Sequence, residues 1–155
     1  QMATINPDYK DDPTAARENS RIKAMVDALN KSIDTLVKDN DLNRIAIVAF
    51  ANKSSVMLEL TSAADIKQNM GASTEYLTLN DFTDIKYNKG SNLWDATTSV
   101  TCRMGQHENT ISTSGGTNIQ AGLHTGMSIL VNENSTTFVY EEEKYTRIPN
   151  VVLMP

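Results

Sequence analysis

The chain has 155 residues, of which 39% are hydrophobic and 21% are charged, and its net charge at pH 7 is -5. This length suits one domain with a hydrophobic core rather than two, and this composition lies outside the range of disordered proteins. The scattered basic residues argue against nucleic-acid binding, and no apolar run reaches the roughly 20 residues that a membrane-spanning helix needs.

The first predicted helix begins after a polar N-terminal stretch. Residues 1–19 are rich in proline, asparagine and aspartate and have no apolar period, which predicts a loop. From Ser20 onwards, apolar residues recur at steps of three and four while charged residues take the other face. This period predicts a five-turn amphipathic helix that is capped by Asn19 or Ser20 and ends at Asn40 and Asp41.

Two strands are predicted next. The run from Ile45 to Phe50 is apolar without alternation, as in a strand that is covered on both faces of a parallel sheet. Residues 51–54 turn the chain. From Val56 to Thr61 apolar and polar residues alternate, which predicts a half-exposed strand that pairs antiparallel with the preceding one.

The segment from residue 62 to residue 109 carries less regular patterns. They indicate a short helix near Ala63 to Met70 and a strand from Tyr76 to Leu79. A threonine-rich segment from Trp94 to Thr101 follows, and its pattern assigns no element.

The last third of the chain contains a glycine-rich loop and a second helix. The loop runs from Ser112 to Asn118, and the apolar residues from Ile119 to Leu130 are spaced as one helical face. Residues 132–150 form a polar excursion that is expected on the surface, and Val151 to Met154 predict a second buried strand. The order helix, strand, strand, helix, strand is typical of an α/β fold.

The glycine-rich loop is the candidate functional site. Gly115 and Gly116 allow positive φ and close backbone approach, and Thr117 presents a hydroxyl beside the free N–H groups of a helix start. The loop is open to three interpretations: a simple helix cap for which Thr117 or Asn118 is suited, a nucleotide site, or an oxygen ligand for Mg²⁺. The loop lacks the Gly-Lys-Ser/Thr ending of a P-loop and the three spaced glycines of a dinucleotide fingerprint. A lone neutral hydroxyl cannot hold Mg²⁺, which needs about six oxygens including carboxylates.

Enzymatic chemistry is not indicated elsewhere. Neither His107 nor His124 has an obvious partner for acid–base work, and the chain has no Gly-x-Ser-x-Gly elbow. The acidic run from Glu141 to Glu143 is interpreted as a solvated turn, with an acidic calcium-binding loop as the alternative.

Four blocks of the sequence resemble consecutive blocks of a von Willebrand factor type A (VWA) domain. They are the helix from Ser20 to Leu29, the strand from Arg44 to Phe50, the loop from Gly115 to Ile119 with its helix, and the terminal run from Asn150 to Met154. The resemblance implies an α/β, Rossmann-like, doubly wound and mainly parallel sheet with helices on both faces. Residues 1–155 are then expected to be a single partial VWA domain that lacks the first, central strand.

The resemblance also implies a metal site. VWA domains bind Mg²⁺ or Mn²⁺ at a metal-ion-dependent adhesion site, using an Asp-x-Ser-x-Ser motif, a Thr before a later helix and an Asp after the next strand. Of these ligands only Thr117 lies in this chain. The motif is expected at or before Gln1 and the Asp just after Pro155, so the metal is implied for the intact parent protein.

A polar insertion from Asn6 to Asn19 resembles the VWA domains of bacterial surface and pilus-tip proteins. It implies a non-enzymatic adhesion module, extracellular on a Gram-positive cell wall or pilus, that captures a carboxylate of a protein ligand on Mg²⁺. One alternative is an intracellular VWA assembly subunit of an ATP-driven chelatase or metal-insertion machine. The other is a nucleotide-binding α/β enzyme, which binding of ATP or NAD would favour.

Overall fold

The computed structural model describes residues 6–78, 86–88, 93–95, 97–105, 108–112, 116–132 and 137–153. The α-helices in these ranges are α1 (Pro13–Glu18), α2 (Arg21–Asp39), α3 (Ala63–Met70) and α4 (Ile119–Asn132). The strands are β1 (Arg44–Phe50), β2 (Ser54–Ser62), β3 (Lys86–Asn88), β4 (Leu93–Asp95), β5 (Thr97–Thr101), β6 (Glu108–Ser112), β7 (Thr137–Tyr140) and β8 (Glu143–Thr146). The chain is therefore mixed α/β, as its sequence predicts.

The described strands form four separate antiparallel pairs: β1 with β2, β3 with β4, β5 with β6, and β7 with β8. The predicted antiparallel pairing of the first two strands is confirmed. A doubly wound, mainly parallel sheet is not found among the described residues, where each strand pairs only with a neighbour in sequence. The α/β class is established, and the parallel architecture remains a proposal.

Helix α2 begins and ends where its sequence predicts. Ser20 Oγ accepts a hydrogen bond from the backbone N–H of Lys23 at 3.1 Å, and the chain leaves the helix at Asn40. The apolar face of α2 is buried at Ile22, Val26, Ile33 and Val37. Short-range capping and a 3.6-residue apolar period were sufficient to predict this element.

The hydrophobic core lies between α2, α3 and one face of the β1–β2 hairpin. Besides the buried face of α2, it contains Ile45 and Ile47 of β1, Met57 and Leu58 of β2, Ala63, Ile66 and Met70 of α3, and Tyr76, Leu77, Cys102 and Met104. Helix α4 packs against the hairpin on the opposite face of β1, where Gly122 lies against the ring of Phe50. The hairpin is thus flanked by helices on both sides.

A β-bulge changes the register of the hairpin. Ile47 lies opposite Leu58, whereas the next residue, Val48, lies opposite Val56. As a result Met57 and Leu58 are both buried, although strict alternation predicts that only one of them faces the core. The predicted simple alternation of β2 is wrong at this point, because a bulge places two successive residues against one partner.

The segment before α2 is not the loop that its composition predicts. It contains a 3-10 helix, Pro7–Tyr9, and the helix α1. Asp12 caps α1 by accepting hydrogen bonds from the N–H groups of Thr14 and Ala15, both at 3.0 Å, and Pro13 opens the helix. An aspartate followed by proline is a helix-start signal, which the polar character of the segment concealed.

The short helix predicted at Ala63–Met70 is confirmed as α3. Residues 76–78 belong to no described strand, and Leu79 lies outside the described residues. The side chain of Asn30 makes two hydrogen bonds to the backbone of Leu77, of the kind that a neighbouring strand would make. Its Nδ2 donates to the carbonyl of Leu77 and its Oδ1 accepts from the N–H of Leu77, both at 2.8 Å.

The C-terminal run departs from its prediction. Val151, Val152 and Leu153 form no strand and are 46%, 78% and 40% exposed, so the predicted buried strand is wrong for these residues. No described strand pairs with them, and an apolar run is buried only where a neighbouring element covers it. The expected surface excursion is confirmed for residues 137–146, which form the exposed β7–β8 hairpin. No helix of the described chain is long and apolar enough to span a membrane.

Candidate functional site

Thr117 lies in the loop that leads into α4, directly before the residue that caps this helix. Asn118 Oδ1 accepts a hydrogen bond from the N–H of Ala121 at 3.0 Å, so Asn118 is the cap. The N–H of Asn118 donates to the carbonyl of Ala51 at 2.7 Å, and its side-chain amide donates to the carbonyl of Asn52 at 3.4 Å. These bonds hold the loop against the turn that follows β1.

Thr117 consequently lies at the carboxyl end of β1, beside an open depression of about 470 Å³. The depression is lined by Asn52, Gly116, Thr117, Asn118, Ile119 and Gln120. Thr117 and its loop neighbours are exposed. Ligands of α/β proteins generally bind beyond the carboxyl ends of strands, and this depression has that position.

Two contacts fix α4, and with it the loop, to the hairpin. A Cβ atom built at Gly122 would lie 2.6 Å from Cδ1 of Phe50, so only glycine permits this close approach of the helix to β1. One turn further along, the hydroxyls of Ser54 and Thr125 are hydrogen-bonded at 2.7 Å. The face of α4 that meets the hairpin is therefore held both by close packing and by a hydrogen bond.

The lining residues offer neutral oxygen atoms only. Their side chains contribute one hydroxyl and the amides of Asn52, Asn118 and Gln120, with no carboxylate. Mg²⁺ in proteins is held by carboxylates, and the positive end of the α4 dipole opposes a cation unless such groups outweigh it. Within the described ranges, no three His, Cys, Asp or Glu side chains are grouped to hold a metal ion. The described residues alone do not fit a magnesium site.

Of the remaining predicted candidates, those that the structure describes do not line this depression. His124 is exposed on α4, and His107 and Gly115 fall outside the described residues. Glu141 and Glu142 form the turn of the β7–β8 hairpin with positive φ angles of 49° and 67°, and both are exposed, as expected for a solvated turn.

Sequence reasoning missed Asn52 as a wall of the depression. This residue comes just after β1, where α/β proteins place ligand-binding loops. Its position after a predicted strand could therefore have identified it as a candidate. The Ser54–Thr125 contact was also missed, because 71 residues separate its two partners.

A second polar arrangement lies among the core elements. The hydroxyl of Tyr76 donates to Oδ1 of Asp34 at 3.0 Å, and Lys38 forms an ion pair with Oδ2 of the same carboxylate at 2.6 Å. The hydrogen bond from Lys38 lowers the pKa of Asp34, with a further contribution from Tyr76, while burial raises the pKa of Tyr76. This group ties the segment that follows α3 to α2, and its role is structural.

Comparison of the chain with models of known protein families finds no match, and comparisons with curated proteins and with solved structures find none either. The likeness to VWA domains therefore rests on the four sequence blocks alone.

Proposed function

We propose that this chain is part of an adhesive VWA domain, a protein-binding module rather than an enzyme, in which Thr117 is one ligand of Mg²⁺ or Mn²⁺ in the intact protein. One observation carries the proposal. The hydroxyl-bearing Thr117 is exposed beside an open depression at the carboxyl end of β1, and Asn118 holds it there through the carbonyl of Ala51. A ligating threonine needs this combination of access and fixed position.

The arrangement of apolar surfaces supports the finer fold in the proposal. β1 is apolar at every position from Ile45 to Phe50, yet among the described strands it pairs only with β2. Val151 to Leu153 are apolar and exposed, and no described strand pairs with them. One further parallel strand paired with β1 would extend the hairpin toward the doubly wound sheet that the resemblance implies, in which residues 1–155 lack the first, central strand.

The chemistry requires carboxylates that the depression does not contain. The resemblance assigns them to an Asp-x-Ser-x-Ser motif and a final Asp outside residues 1–155. When bound, the metal would supply a positive centre for a carboxylate of the protein ligand. Thr117 would contribute a neutral oxygen, and the open depression leaves room for a macromolecular partner such as a host or neighbouring-cell surface protein. An adhesive module of this type acts outside the cell, on a wall or pilus.

The first experiment is to determine about ten encoded residues on each side of the chain. The proposal expects Asp-x-Ser-x-Ser ahead of Gln1 and an Asp after Pro155. If neither is encoded, the metal-dependent mechanism is wrong. A secretion signal and wall anchor in the same gene would favour adhesion over an intracellular metal-insertion subunit.

The second experiment measures Mn²⁺ binding by electron paramagnetic resonance on the protein that includes these flanks. Thr117→Val preserves the shape of the side chain and removes the hydroxyl, so affinity is expected to fall about tenfold or more. Ser128→Ala is the matched control, because the Ser128 hydroxyl donates to the carbonyl of His124 on the same helix and lies outside the depression. Unchanged Mn²⁺ affinity in Thr117→Val contradicts the proposal, and saturable binding of ATP or NAD would favour the enzyme alternative.

A further inference from the structure

The β7–β8 hairpin has one face composed of aromatic side chains. In its register Phe138 lies directly opposite Tyr145, and their rings stack with centroids 5.7 Å apart at an angle of 27°. Tyr140, two residues after Phe138 on the same face, meets Tyr145 edge-on at 6.5 Å. Because side chains alternate along a strand, the three rings share one side of the hairpin.

This face already holds one cation. The guanidinium carbon of Arg147 lies 4.0 Å from the centroid of the Phe138 ring, within the range of a cation–π interaction. Arg147 follows Tyr145 by two residues and therefore emerges on the aromatic side. The contact shows that a planar guanidinium group stacks on one ring of this face.

The two tyrosines at the other end of the face remain accessible. Tyr140 is 46% exposed and Tyr145 is 41% exposed, and both lie next to carboxylates. The Tyr145 hydroxyl donates to Oε2 of Glu143 at 3.0 Å, and Glu141 and Glu142 form the adjacent turn. Partly exposed aromatic side chains beside negative charge are surroundings that stabilise a further cation.

We propose that this aromatic face docks an arginine-bearing segment of a protein partner, with the guanidinium placed against Tyr140 and Tyr145 and paired with Glu143. Arginine suits the site better than lysine, because its planar group stacks on rings and donates two parallel hydrogen bonds to a carboxylate. The hairpin tip carries three glutamates against one cation, Lys144, and this negative balance favours a cationic partner over a nucleic acid. The inference is independent of the depression beside Thr117.

The test is a titration of the 155-residue chain, followed by the ring signals of its tyrosines in NMR spectra. The probe is the peptide acetyl-Gly-Arg-Gly-Arg-Gly-amide. Its control is the same peptide with citrulline in place of arginine, which keeps the shape and removes the charge. The arginine peptide is expected to shift the signals of Tyr140 and Tyr145 with a Kd on the order of 1 mM, while Tyr9 and Tyr76 stay unchanged.

Two variants separate the contributions of ring and carboxylate. Tyr140→Leu keeps an apolar side chain but removes the ring, and Glu143→Gln removes the charge. Each is expected to weaken binding of the arginine peptide by about threefold or more, which corresponds to about 0.7 kcal/mol and is in the range of an exposed cation–π or ion-pair contribution. Val139→Ala, on the opposite face of the same strand, is expected to leave affinity unchanged.

Equal shifts with the citrulline peptide would overturn the inference, as would unchanged affinity in both variants. A nuclear Overhauser contact between the rings of Phe138 and Tyr145 must accompany the titration. If this contact is missing from the free chain, the aromatic face does not form in solution and the inference is equally wrong.

Discussion

The two helices that flank the β1–β2 hairpin bury their apolar residues to very different extents. Helix α2 buries four large apolar side chains, whereas the only buried residue of α4 is Gly122. The exposed large apolar residues of α4 are Ile119, Leu123, Met127 and Val131. Since the sequence of α4 is the more apolar of the two, composition does not explain the contrast. The α2 side holds the fold together, and the α4 side presents the candidate site and uncovered apolar surface.

The largest expected effect comes from truncating one side chain in each region. Leu58→Ala removes a side chain that is 1% exposed in the α2-side core, and it is expected to lower the free energy of unfolding by about 2–5 kcal/mol. Met127→Ala, at a position that is 50% exposed on α4, is expected to change it by less than about 0.5 kcal/mol. Urea unfolding followed by circular dichroism measures both. Similar losses in the two variants would mean that the apolar face of α4 is covered in solution.

A smaller effect is expected where α4 meets the hairpin. Gly122→Ala places a methyl group within 3 Å of the Phe50 ring and is expected to destabilise the protein by about 1–3 kcal/mol. Gly126→Ala is the matched control in the same helix, because nothing lies within 4 Å of its added Cβ. This control is expected to stabilise the protein by up to about 1 kcal/mol, as alanine favours a helix over glycine. Thermal melts that show the same sign for both variants would contradict the close packing of α4 on β1.

The smallest effect is expected from pH. The pKa of Asp34 is lowered in the folded chain, first by the hydrogen bond from Lys38 and then by Tyr76. Its contribution to stability is therefore present above its unfolded pKa of about 3.9 and is lost as pH falls through the lower folded value. Asp34→Asn removes this dependence. Denaturant unfolding at pH 7 and pH 3 should show a smaller acid-induced loss in the variant than in the parent chain, and an equal loss would be evidence against the contribution.

Sequence alone predicted the elements whose signals are local. The ends of α2 follow from Ser20 and Asn40, the start of α4 from Asn118, and the antiparallel hairpin from two apolar runs joined by a short turn. Each of these signals acts over a few residues, so it needs no knowledge of the rest of the chain. The missed helix α1 also had a local signal, Asp12 with Pro13, which the polar composition outweighed.

Burial was harder to predict than secondary structure. The apolar residues Ile119, Leu123 and Met127 of α4 are exposed, and so is the run from Val151 to Leu153, for which a buried strand is predicted. Burial depends on what another part of the polypeptide places against an apolar surface. The candidate site likewise combines a feature that local sequence predicts with one that depends on distant residues. The position of Thr117 before a helix followed from its own neighbourhood, whereas its proximity to Asn52 depends on contacts between residues about 66 apart in sequence.

The lone thiol of the chain lies in the α2-side core, where Cys102 is 3% exposed beside Met104. A sulfhydryl reagent can reach it only when that part of the molecule opens. The rate at which such a reagent modifies Cys102 in the native protein therefore reports how often the core opens, without denaturant. Because the chain has no second cysteine, the time course of the reaction reports on this one site alone.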